Sequence, residues 1–246
     1  MKKLVGFLGV LAMVASAPLA HANFVIAYQI GAGAISPCVN NPDDKNSLGW
    51  SCTASAGTIT ITNASGSSNS GGDPAFSDQF GSITTLTNTG SSTVTVELWV
   101  AAQNFAMPVT GGSVTAIDYS SEIGITSAQP GSSGSIQLES CVDQANKDVP
   151  APVGTGFCVT PAATLTNTLP IPSTGSANDT VTTVFSPLNK FYSLSQMVTI
   201  FLGADSKINL STSQVLTPVP EPMSIALLGA VFLLTSRSIL RKRKQA

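Results

Sequence analysis

Asp118 and Glu122 are two carboxylates close in sequence, the residue types that share acid and base work on a glycosidic bond. Nothing in the sequence sets one across a cleft from the other, so a surface pair is the plainer reading. The run Asn40-Asn41-Pro42-Asp43-Asp44-Lys45-Asn46 is rich in oxygen donors, of which calcium takes roughly six to eight. It has no EF-hand spacing and Lys45 opposes a cation, which makes a solvated turn beside Cys38 the better fit. Asp73 with Asp78, and Asp143 with Asp148, are weaker groupings of the same kind. Trp99 stands apart. Alternation puts it on the polar face of its strand with Thr95 and Glu97, where an indole could stack on a sugar ring or meet a partner. Cover from a loop or a second layer is the competing reading.

Two terminal segments decide which residues belong to the body. Met1-Lys2-Lys3, an apolar stretch from Leu4 to Ala15 and the site Ala20-His21-Ala22 have the order of a secretory signal peptide over 1–22, cut between Ala22 and Asn23. The Sec translocon and signal peptidase are then the first partners. The opposite end reads Val219-Pro220-Glu221-Pro222, an apolar run from Met223 to Ser236, Arg237, and the block Arg241-Lys242-Arg243-Lys244. Proline lacks an N–H and disfavours the α region in the residue before it, so the chain enters this segment extended. A transmembrane helix over about 223–240 is at the short limit of the roughly 17–25 residues that span hydrocarbon, and the basic block would stop translocation on the cytoplasmic side.

That ordered triple over 218–246 resembles the PEP-CTERM sorting signal. The resemblance implies recognition of Pro220, Glu221 and Pro222 by an exosortase-type membrane protease and transient anchoring in the inner membrane. It also implies a destination at the cell surface or in an extracellular matrix of exopolysaccharide. It implies nothing about the fold of the body, and a retained C-terminal anchor is the alternative.

Without these segments the composition changes meaning. Seven of the 11 basic residues lie in the two ends, leaving only Lys45, Lys147, Lys190 and Lys207, against 12 of the 13 acids. The body, 23–217, is therefore near −8 rather than −2, which argues against nucleic acid or anionic lipid as partners. The only histidine, His21, leaves with the signal peptide, and all three arginines leave with the tail. Ser-His-Asp and Cys-His catalysis and His-ligated metals are thus excluded from the body. The expectation is a non-catalytic exported protein with no cofactor and no metal. A carbohydrate-binding module using Trp99 is the alternative, and a carboxylate-based glycan-active enzyme comes third.

Four cysteines in an exported chain read as disulfides. Local pairing, Cys38–Cys52 and Cys141–Cys158, is favoured over the crossed alternatives, because each pair would staple a Pro/Gly/Asn-rich stretch.

The elements that must position these residues are short β-branched runs separated by Gly, Ser, Asn and Pro. Strands are expected at 58–62, 82–87, 93–100, 114–119, 123–127, 135–140, 181–185, 198–202, 207–210 and 214–217. In 93–100, Val94, Val96, Leu98 and Val100 face inward. Ser193 to Met197 is read as one helical turn, Pro150 to Pro172 as a long ordered loop, and Gly66 to Gly72 as a flexible loop. The pattern favours an all-β fold, a single β-sandwich with a jelly-roll arrangement among the options.

Overall fold

The computed structural model describes residues 24–38, 49–69, 76–106, 114–146, 158–188 and 191–220. The signal segment, the Asn40–Asn46 run, Asp73, Asp148 and the tail beyond Pro220 lie outside the described residues. Among the described residues, twelve strands form two antiparallel sheets packed as a sandwich. One sheet, sheet A, contains β1 (Phe24–Ile30), β2 (Ser36–Pro37), β6 (Val94–Phe105), β8 (Gly134–Asp143), β9 (Pro161–Pro170) and β11 (Tyr192–Leu202), in the order β2-β1-β6-β11-β8-β9. Sheet B contains β3 (Gly49–Ala56), β4 (Ile59–Ser68), β5 (Ser77–Asn88), β7 (Val114–Ala128), β10 (Gly175–Phe185) and β12 (Ser206–Pro220), in the order β10-β7-β12-β5-β4-β3.

The alternation that marked the strands also sets the core. Ile59 and Ile61 of β4, and Val96, Leu98 and Val100 of β6, are buried in one cluster with Ile83, Leu86, Tyr119 and Ile123 of sheet B and Ile136, Leu138 and Val198 of sheet A. Where the sequence suggested two strands, the chain twice makes one long strand. Ser120-Ser121-Glu122 sits inside β7 and Ser211-Thr212-Ser213 inside β12. Small polar residues do not break pairing when every second one faces outward, and the inward members Ser121 and Thr212 are accommodated in the core. Ser193–Met197 is no helical turn but the start of β11, because Leu194, Gln196 and Val198 continue the inward alternation. Much of the supposed loop at Pro150–Pro172 is β9. Its prolines fall at the ends of an edge strand, where the missing N–H disrupts little. Likewise Gly66, Ser67 and Ser68 finish β4.

The core is not wholly apolar. One register row of sheet B places Ser68, Gln79, Gln214 and Ser121 side by side on the inner face, all buried. From this row and its neighbours, hydrogen bonds cross to sheet A. Gln214 Nε2 donates to the Ser195 carbonyl at 2.7 Å, and the Thr212 hydroxyl donates to Gln196 Oε1 at 2.7 Å. The Tyr119 hydroxyl donates to Gln214 Oε1 at 3.0 Å. At one end of the sandwich the Tyr192 hydroxyl donates to Ser77 Oγ at 2.7 Å, and at the other Asn88 Nδ2 donates to the carbonyls of Leu202 and Gly203. Burial pushes the Tyr119 and Tyr192 hydroxyls above their ordinary range, with side-chain hydrogen bonding to Ser140 and Ser77 respectively opposing in part.

Candidate functional site

Asp118 and Glu122 lie on the same outward face of β7, four residues apart along one strand. Their backbones are about 13 Å apart, and the two side chains stand along one strand rather than on opposite sides of a cleft. Asp78 is used locally: its Oδ1 accepts the Asn69 N–H at 3.1 Å, while Asn69 Oδ1 accepts the Asp78 N–H at 2.9 Å. Among the described residues, no group of three His, Cys, Asp or Glu side chains comes together to hold a metal ion.

Asp143 has a structural part. Its buried carboxylate accepts the N–H groups of Ala145 at 2.9 Å, Thr160 at 2.9 Å and Val159 at 3.0 Å. It thereby ties the end of β8 to the segment entering β9. The Cys141–Cys158 disulfide joins the same two segments, with Cα atoms 6.2 Å apart. Local pairing therefore holds for this couple and fits an oxidising compartment. Cys38 is also disulfide-bonded and buried, while the Cys52 side chain lies outside the described ones.

Trp99 faces away from the inter-sheet core, as alternation required, but it is only 2% exposed. It has the small side chains of Ala27, its register partner on β1, and Ala101 beside it on the same face, both buried as well. The outer face of sheet A is covered here, so the indole offers no ring face to a ligand. Covered, Trp99 is packing and not a platform.

An exposed aromatic occurs instead on the outer face of sheet B. Phe80 of β5 is 44% exposed, and a groove of about 310 Å³ opens beside it, lined by Ser65, Gly66, Ser67, Gly81, Ser82, Ser211 and Thr212. Register explains its shape. Ser65, Ser82 and Ser211 form one row across β4, β5 and β12, and Ser67, Phe80 and Ser213 form another two residues along. Between them runs the row Gly66, Gly81 and Thr212, whose side-chain positions point inward, so the floor is bare backbone. The groove thus crosses the strands, with walls roughly 7 Å apart along the strand direction. One wall carries hydroxyls, with Ser65 Oγ and Ser82 Oγ hydrogen-bonded at 2.7 Å. The other carries the Phe80 ring, and Glu122 follows Ser213 in the same row. Beneath the floor the core leaves no room for a side chain at Gly81: a Cβ there would sit 2.8 Å from Thr212 Oγ1 and press on its bond to Gln196.

Phe80 was legible but lies just before the strand expected at 82–87. Extending its alternation backward from Ile83 through Gly81 and Gln79 leaves Phe80 facing out.

No protein-family model matches the chain, and no curated protein matches it. Among solved structures, the chain is similar to the carbohydrate-binding module TmCBM27, described for specific mannan recognition. That match has 12% identity and a TM-score of 0.30, and it covers 80% of this chain and 99% of that one. It is also similar to TmCBM61, solved in complex with β-1,4-galactotriose, at 6% identity with a TM-score of 0.27, covering 74% and 98%. At such scores the resemblance is one of coarse shape, and what the groove can bind has to be read from its own side chains.

Proposed function

We propose that this chain is an exported, non-catalytic surface or matrix protein whose β-sandwich holds a neutral polysaccharide in the cross-strand groove beside Phe80. The observation that carries the reading is Phe80 itself, an exposed ring standing opposite a row of serine hydroxyls. An aromatic face accepts the apolar face of a sugar ring, while hydroxyl walls give and take hydrogen bonds at its rim. The body has no arginine or histidine and a charge near −8, so a polymer of uronic acids would be repelled. Asp118 and Glu122 lie along one strand of an outer sheet face rather than across a cleft, which weighs against glycan cleavage.

Delivery belongs to the same proposal. The signal peptide takes the chain through the Sec translocon, and the segment at about 223–240 holds it in the inner membrane. An exosortase-type protease then reads Pro220-Glu221-Pro222 and frees the body toward exopolysaccharide.

Retention of the exported protein on immobilised glucan, mannan and galactan, and on exopolysaccharide of the expressing host, tests the groove. Phe80→Ala should abolish retention while leaving the thermal unfolding midpoint in place. Equal retention of wild type and variant would overturn the groove as the site.

A further inference from the structure

Six large hydrophobic side chains are exposed among the described residues, and four of them, Val159, Val184, Phe191 and Val219, lie at one end of the sandwich. Val219 pairs with Ala116 near the start of β7, and Val184 pairs with Asp118 two residues further along it. Phe191 immediately precedes Tyr192, which pairs with Phe105 at the end of β6. Val159 enters β9, whose first residue, Pro161, pairs with Asp143 at the end of β8. The two sheets meet at this end, because Tyr192 bonds to Ser77, the first residue of β5. The four side chains are between 36% and 61% exposed. Of the other two, Phe80 lies in the groove, while Phe201 sits toward the opposite end, one residue before Leu202 closes β11.

The chain enters and leaves the domain on this same side. Phe24 opens β1 against Ala102, late in β6, and Pro220 closes β12 against Val114, the first residue of β7. Only Glu221 and Pro222 separate Pro220 from the apolar run that begins at Met223. Three residue steps reach at most about 10 Å, comparable to one headgroup layer of a bilayer whose hydrocarbon core is about 30 Å of a total of roughly 40–45 Å. Pro218, Pro220 and Pro222 stiffen that tether, since proline fixes its own φ and narrows the residue before it.

We infer that this end of the sandwich docks on the bilayer surface while the chain is anchored, with Val159, Val184, Phe191 and Val219 entering the headgroup boundary. The inference rests on the membrane-anchor reading of 223–240. Scattered exposed hydrophobics are ordinary, but a cluster at the point where a short tether meets lipid has an occupant within reach. The net negative charge of the body opposes anionic lipid, so the contact depends on the tether rather than on free affinity.

The test uses the exported chain with its C-terminal segment, reconstituted into phosphatidylethanolamine/phosphatidylglycerol vesicles with and without brominated acyl chains. Flotation is measured first, then tryptophan emission relative to the parent chain. Phe191→Trp and, as a second variant, Val184→Trp should lose their added emission in brominated vesicles, while Phe201→Trp should keep it. If the chain floats and neither variant is quenched, docking is overturned and the anchor stands. Equal quenching at 191, 184 and 201 also overturns it, since no end is then preferred. A chain that does not float removes the anchor and the docking together.

Discussion

Gln214 and Ser195 face each other across the sandwich, and the Gln214 amide donates to the Ser195 carbonyl at 2.7 Å. The same amide accepts the Tyr119 hydroxyl through its oxygen, so one side chain joins two strands of sheet B to the backbone of sheet A. Gln79, its register neighbour on β5, is equally buried, yet neither atom of its amide has a hydrogen-bond partner. Neighbouring glutamines in one row therefore have opposite roles.

Gln214→Leu should destabilise the protein by about 2–3 kcal/mol, because it strands the Tyr119 hydroxyl and the Ser195 carbonyl in the core. Gln79→Met should be neutral or stabilising, since an unpartnered amide is replaced by a thioether of similar size. Urea midpoints of the two variants measure the difference, and equal losses would contradict it.

Disruption of the Cys141–Cys158 bridge by Cys158→Ser should lower stability by about 3 kcal/mol for a closed loop of this size. Asp143→Ala should lower it further, because three N–H groups lose one acceptor. Thermal unfolding of the single and double variants checks both, and coupling between them is expected because they fasten the same two segments.

Alkaline titration should separate the tyrosines. Both Tyr119 and Tyr192 keep their protons to higher pH in the folded chain than the ordinary value of about 10. Stability is therefore undiminished below that pH and falls above it, where the unfolded chain has shed protons that the folded chain retains. Absorbance of tyrosinate should rise for these two residues together with unfolding. Their ionisation in a still-folded protein would refute the burial.

Trp99→Ala should cost about 3–5 kcal/mol of stability, as for large buried aromatics elsewhere. Polysaccharide retention of the protein that remains folded should be unchanged, because Trp99 lies on sheet A and the groove on sheet B. Phe80→Ala should show the reverse, with stability within about 0.5 kcal/mol of wild type.

Fold class was readable because β-branched residues alternate in runs such as Thr58–Thr62 and Thr93–Val100, and alternation is what a half-buried strand requires. The lengths of β7 and β12 were not, since serine is a turn former locally and becomes a strand residue only when neighbouring strands pair on both sides. Trp99 shows the limit of period-two reasoning. Its face was assigned correctly, but whether that face is covered depends on residues remote in sequence. Asp143 looked like a candidate ligand because short-range spacing does not reveal that Val159 and Thr160 return to it. Nor was the groove visible, because it arises from three strands brought side by side.

Among the described residues β12 is the last strand in sequence, yet it occupies an interior position in sheet B, between β5 and β7. During synthesis and export both neighbours emerge first and must wait with unpaired edges for a segment that arrives after them. Sheet B therefore cannot close until β12 has appeared, and maturation of the body is timed by the arrival of a strand whose last residues, Val219 and Pro220, open the proposed sorting motif. A chain cut short before Ser206 would present two open strand edges to its surroundings, the form in which β proteins most readily aggregate or fall to proteases.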